Sequence, residues 1–127
     1  MTDLVLDASA VLAYLQGEPG FEIVAKHLSA ASIGAVNFAE VIGKLIDKGL
    51  DVASVDAVLA SIGLDVVDFD GTQGRDAGLL RAETRKRGLS LGDRACLALA
   101  RARGVPALTA DRAWAEVDAG IEVRLLR

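Results

Sequence analysis

The chain has 127 residues, 52% of them apolar but only 4% aromatic, and a net charge of −4. That length suits a single domain spanning residues 1–127, with a core of Ala, Val, Leu and Ile. The acidic balance excludes a uniformly basic nucleic-acid binder, the lone Cys96 excludes an intramolecular disulfide framework, and two prolines with no low-complexity run exclude a biased linker.

In chain order, LVL at 4–6 reads as a strand running into Asp7, Ala8 and Ser9. The opening MTDLVLDAS has neither the charge nor the apolar length of a signal peptide or membrane span, and with Cys96 read as a buried thiol the expectation is a reducing, cytoplasmic setting. A helix from Ala8 to Gln16 follows, then a turn at Gly17 to Gly20 and a helix near 21–30 that carries His27, read as a surface residue. Residues 32–36 form a second strand. Asn37 to Lys48 is an amphipathic helix, with Phe38, Val41, Ile42, Leu45 and Ile46 on one stripe and Gly49 as its stop. A helix over 52–62, a strand over 65–69 and a long helix over 72–87 ending at Gly88 come next. The segment LSLGDRACLALA starts a helix over 91–103 that Gly104 closes. Strands at 105–109 and 122–126 flank a short helix at 112–118. Strands alternating with helices predict an α/β fold, a three-layer α/β/α sandwich around a mainly parallel sheet of about five strands.

In such sheets ligands bind beyond the carboxyl ends of the strands, so acids at strand-to-helix junctions carry the interest. Asp7 follows LVL, Glu40 lies three residues past Asn37, and Asp111 follows LTA. Asp93 interrupts an apolar helix, sharing a face with Leu97 and Ala100 beside Cys96, where a carboxylate is costly unless paired, capped or metal-bound. Each acid has a purely structural explanation. Asp7 and Asp111 suit helix N-caps, and Asn37 with Glu40 and Ser90 with Asp93 have capping-box spacing. Glu40 is also one turn from Lys44. Capping does not, however, require four carboxylates at four junctions. A cluster at one sheet end repels itself and raises its own proton affinity unless a cation is present. Oxygen donors with almost no His or Cys suit Mg²⁺ or Mn²⁺ rather than structural zinc.

The motifs D-A-S at 7–9, N-F-A-E at 37–40, S-L-G-D-R at 90–94 and T-A-D at 109–111 resemble, in that order and over nearly the whole chain, the PIN-domain family, and most of all its VapC-type toxins. The resemblance implies a PIN-like fold in which Asp7, Glu40, Asp93 and Asp111 are catalytic acids around one or two Mg²⁺ or Mn²⁺ ions. It implies Ser9, Asn37, Ser90 and Thr109 as polar supports for the acids or for bound waters. Ala113 and Trp114 stand where some members carry a further acid. The implied activity is hydrolysis of RNA phosphodiesters, with a metal-bound water as nucleophile source. The implied partners are an RNA substrate, a cognate antitoxin and a second copy in a homodimer.

Charge is divided unevenly along the chain. Residues 1–74 hold three lysines, no arginine and eleven acids, whereas 75–127 hold ten arginines, one lysine and seven acids. Arg81, Arg85, Lys86 and Arg87 suggest a phosphate-facing patch, and Arg85, Arg87, Arg94 and Arg112 are candidates for RNA backbone contact. Arg94 and Arg112 directly follow two of the acids and serve equally as salt-bridge partners for them. Two alternatives compete. One is a PIN module that binds RNA or a partner without cutting. The other is a haloacid-dehalogenase-like phosphatase, suggested by DASAV, though Ser9 stands where that family needs a second aspartate. A dinucleotide-binding fold lacks its glycine fingerprint.

Overall fold

The computed structural model describes residues 3–117 and 119–127. Five parallel strands lie in the order β3-β2-β1-β4-β5, with β1 Leu4–Leu6, β2 Ala31–Gly34, β3 Asp65–Val67, β4 Ala107–Thr109 and β5 Val123–Leu125. From β1 the chain winds outward through β2 to β3, then crosses back to lay β4 on the other flank of β1. The direction of winding therefore reverses between β1 and β4, which opens a crevice at the carboxyl ends of those two strands.

The helices are α1 Ala8–Gln16, α2 Phe21–His27, α3 Ala35–Asp47, α4 Val52–Ile62, α5 Gly71–Leu79, α6 Arg81–Thr84 and α7 Leu91–Arg103. Side chains alternate across β1: Leu4 and Leu6 join one buried cluster with Val11, Val24, Ile33, Val41 and Leu45, while Val5 joins another with Leu97, Leu99 and Trp114. Two apolar layers on opposite faces of one sheet make the three-layer sandwich expected from the alternation of elements. Among the described residues, no helix is long and apolar enough to cross a membrane.

Several boundaries differ from expectation, each for a local reason. The second helix is α-helical only to His27 and tightens to a 3₁₀ turn over Leu28–Ala30. His27 is half-buried rather than a surface residue. The second strand ends at Gly34, and α3 begins with no side-chain cap. Asn37 therefore lies inside the first turn of α3, and the Asn37–Glu40 capping box does not form. Ile46 on the α3 stripe is exposed. The helix expected over 72–87 breaks at Leu80, followed by α6 and a 3₁₀ turn over Arg85–Arg87. Within it Thr84 is buried and its Oγ1 donates to the Leu80 carbonyl, a bond that offers the backbone an alternative to regular helix. The short helix near 112–118 is a 3₁₀ turn over Arg112–Glu116, and its expected end at residue 118 lies outside the described residues.

Candidate active site

Asp7 stands at the end of β1 as the N-cap of α1, only 4% exposed. Its Oδ1 accepts from the Ala10 amide at 2.8 Å and from Ser9 Oγ at 2.7 Å, and its Oδ2 accepts from Thr109 Oγ1 at 2.6 Å. Thr109 ends β4, so the side chains at the ends of the two central strands are tied together across the crevice. The tie continues outward. Ser9 Oγ accepts from the Ala110 amide, Thr109 Oγ1 accepts from the Asp111 amide, and Asp111 caps the following turn by accepting from the Ala113 amide. Burial pushes the Asp7 carboxyl up to about 6, against the lowering effect of its hydrogen bonds from Thr109, Ser9 and Ala10, with the Asp93 charge adding to the rise.

On the neighbouring flank, α3 and α7 pack together and share a polar contact. Asn37 is buried, and its Nδ2 donates to Glu40 Oε1 at 2.9 Å and to the Gly92 carbonyl at 3.0 Å. Glu40 thus lies toward α7 and forms no ion pair with Lys44. At the start of α7 the Ser90 and Asp93 capping box is present in full: the Ser90 amide donates to Asp93 Oδ2, and the Asp93 amide to Ser90 Oγ. Asp93 Oδ1 accepts no hydrogen bond among the described residues. The cap gives this carboxylate on an apolar helix one of the partners it needs.

Asp7, Glu40, Asp93 and Asp111 all line one hollow of about 200 Å³, together with Ser9, Asn37 and Lys44. Ser90 and Thr109 stand behind it, holding Asp93 and Asp7 respectively. Beneath the hollow, the buried Cys96 thiol is pushed well up, first by burial and then by the charges of Asp7, Asp93 and Glu40. Three carboxylates separated by as many as 86 positions therefore act on a single buried atom. Yet among the described residues no group of three or more His, Cys, Asp or Glu side chains is set to hold a metal ion. The acids reach one hollow without closing on one point. Two features fit a hard cation there. The donors are all oxygens, and Asn37 Oδ1, buried and facing no hydrogen-bond partner, lacks the donor that a bound water would supply.

The arginines separate into distinct groups. Arg94 turns inward, its Nη1 donating to the Ala77 carbonyl at 2.9 Å, and ties α7 to α5. The ion pairs between described residues are Arg75–Asp76, Arg87–Glu116 and Arg124–Glu122, so neither Arg94 nor Arg112 bridges the acid it follows. Lys86, Arg87 and Arg112 line a shallow groove beside Asp111, while Arg81 and Arg85 are exposed. Trp114 is fully buried in the core. Two participants escaped sequence reasoning. Lys44 lines the hollow, which its position one turn after Glu40 could have signalled. Gly92 backs Glu40, and nothing in a lone helical glycine announces that.

An α/β sheet whose winding reverses at a crevice lined by carboxylates defines a class of fold and site, and sequence comparison supplies its family. Residues 4–120 match the PIN domain. The chain belongs to the PIN-domain family. A search of curated protein sequences finds no significant match. Among solved structures, a DNA-bound VapBC from Salmonella typhimurium is similar with a TM-score of 0.78 at 22% identity, covering 100% of both chains. A VapBC complex from nontypeable Haemophilus influenzae gives a TM-score of 0.74 at 13% identity, with 97% of each chain covered. A toxin–antitoxin complex from Klebsiella pneumoniae gives 0.72 at 15% identity, with 98% of each covered. At these identities the likeness is one of fold.

Proposed function

We propose that this chain is a VapC-type ribonuclease, the toxin of a toxin–antitoxin pair, which hydrolyses RNA phosphodiester bonds with Mg²⁺ or Mn²⁺. The carrying observation is the arrival of four acids from separate junctions at one hollow in a PIN-domain chain. Similar folds described as toxin–antitoxin complexes support a protein antitoxin as partner. On this reading the chain works as one domain, as a homodimer, in the cytoplasm.

Asp7, Glu40, Asp93 and Asp111 would hold the cation, and when bound it supplies an acidified water and a counter-charge for the phosphate. The remaining work belongs to the chain. Ser9 and Thr109 hold Asp7 across the β1–β4 crevice, Asn37 holds Glu40, and Ser90 holds Asp93 by one oxygen. Asp93 Oδ1, left without a donor, is the atom to take a proton from the attacking water. Lys86, Arg87 and Arg112, with Arg85 nearby, seat the RNA backbone, whereas Arg94 serves the fold.

The test is cleavage of single-stranded RNA with Mg²⁺ or Mn²⁺, with and without EDTA. Cleavage is expected to need the ion and to vanish in Asp7→Asn and Asp93→Asn variants that remain folded by circular dichroism. Full activity in EDTA, or in both variants, overturns the assignment. One observation favours a second reading, a PIN module that binds RNA without cutting: among the described residues, no three His, Cys, Asp or Glu side chains are already gathered to hold an ion. RNA binding with no cleavage at any Mn²⁺ concentration selects that reading.

A further inference from the structure

Gly92 is the second residue of α7, and glycine is a poorer helix former than alanine. Its φ is not in the left-handed region, so backbone conformation does not call for it. The reason lies across the interface. A Cβ built on Gly92 would stand 2.5 Å from Glu40 Oε1, 2.5 Å from Oε2 and 2.6 Å from the carboxyl carbon, all nearer than atoms approach without bonding. The Glu40 carboxylate occupies the place where a side chain on Gly92 would be. The Gly92 carbonyl meanwhile accepts from Asn37 Nδ2, the same group that donates to Glu40 Oε1. One buried amide is thereby bonded to the backbone of α7 on one side and to the Glu40 side chain on the other.

We propose that Gly92 is a positioning residue for the candidate active site. Its missing side chain is the seat of the Glu40 carboxylate, and the Asn37 amide locks that carboxylate down against α7. The proposal rests on the metal-dependent nuclease reading. Its energetic logic is asymmetric. The atoms that must give way to a Cβ are the far end of a glutamate held by one hydrogen bond from Asn37, so a methyl group at this position is expected to displace the carboxylate at the loss of that bond rather than to push α3 and α7 apart. It is expected to turn Glu40 out of its seat on α7 and, by replacing a helical glycine with alanine, to offset the lost bond. Loss of function without loss of fold separates this role from a structural one.

Four proteins test it: wild type, Gly92→Ala, Glu40→Ala and the double variant. Each is followed by thermal melting, by calorimetric titration with Mn²⁺ alone, and by RNA cleavage; a crystal structure is determined for Gly92→Ala. Gly92→Ala is expected to melt at or above the wild-type temperature and to bind Mn²⁺ about tenfold more weakly, the scale of loss when a group orienting a metal ligand is removed. Its cleavage rate is expected to fall in step. In the Glu40→Ala background the same change is expected to add nothing, because its effect passes through Glu40. A Gly92→Ala structure with Glu40 still seated against α7 overturns the proposal, as do wild-type Mn²⁺ affinity and cleavage in that variant, or losses that multiply in the double variant. A wild-type protein that neither binds Mn²⁺ nor cuts RNA overturns the nuclease reading instead, and is told apart by occurring before any substitution is made.

Discussion

Asp7 is held by three donors, and still its carboxyl is pushed up to about 6, because burial outweighs those bonds and Asp93 adds repulsion. In the unfolded chain it returns to about 3.9. Between those values the folded state binds the extra proton, so stability falls as pH rises through this window and stays low above it. The proton-linked stabilisation is fully present below about 4 and is lost as pH passes through the folded value, a swing of about 3 kcal/mol at most. In metal-free buffer, Asp7→Asn is therefore expected to melt several degrees above wild type at pH 8, and the gap should close by pH 4. Melting curves across pH check this; parallel curves for the two proteins would refute it. A residue held by three hydrogen-bond donors is thus one whose charge lowers stability in metal-free buffer.

At the scale of the element, α7 carries both stabilising and functional duties on one side chain. Asp93 gives Oδ2 to the Ser90 amide and keeps Oδ1 apart. In metal-free buffer, Asp93→Asn retains an acceptor for that amide and relieves the repulsion with Asp7, so its melting temperature is expected to match or exceed that of wild type. Asp93→Ala removes the acceptor and is expected to lose about 1 kcal/mol. Thermal melts of the pair decide it, since equal losses would mean that the charge rather than the acceptor holds the helix start. Much of this was legible beforehand. The spacing of Ser90 and Asp93 announced a cap, and the apolar run from Ala95 to Ala100 announced a buried helix. Other features were hidden because tertiary packing set them. Asn37 has the spacing of a cap yet lies inside α3, where α7 offers it a carbonyl. Arg94 follows a site acid in sequence but points to α5. The break at Leu80 interrupts a helical pattern that contains no proline.

Across the whole molecule, acidic and basic side chains gather at separate places, although Asp93 and Asp111 of the hollow come from the arginine-rich half of the chain. The hollow is lined by four acids and Lys44, while the groove beside Asp111 is lined by Lys86, Arg87 and Arg112, with Glu116 paired to Arg87, which leaves Lys86 and Arg112 as its unpaired cations among the described residues. A polyanion drawn to the groove approaches the acids only where cations offset them. RNA binding by the inactive Asp7→Asn protein is expected to weaken steeply with salt. Replacing both Lys86 and Arg112 by Ala should reduce the log–log slope by about 1.4, the loss of two single-strand phosphate contacts. Binding measured across a salt series checks this, and an unchanged slope would place the RNA elsewhere. The strand order was not visible in the sequence, because the return of β4 to the flank of β1 depends on pairings between distant segments. The alternation of elements nonetheless made a parallel sheet legible, and with it the end of the sheet where the acids would gather.

The single tryptophan has a practical consequence. Trp114 is fully buried and sits on the turn that Asp111 begins, so its indole is packed three residues from one of the four acids. Native emission is expected to be blue-shifted and to redden when the turn at the end of β4 loosens. The protein thus contains its own optical reporter, and each substitution discussed above can be followed by intrinsic fluorescence without a label.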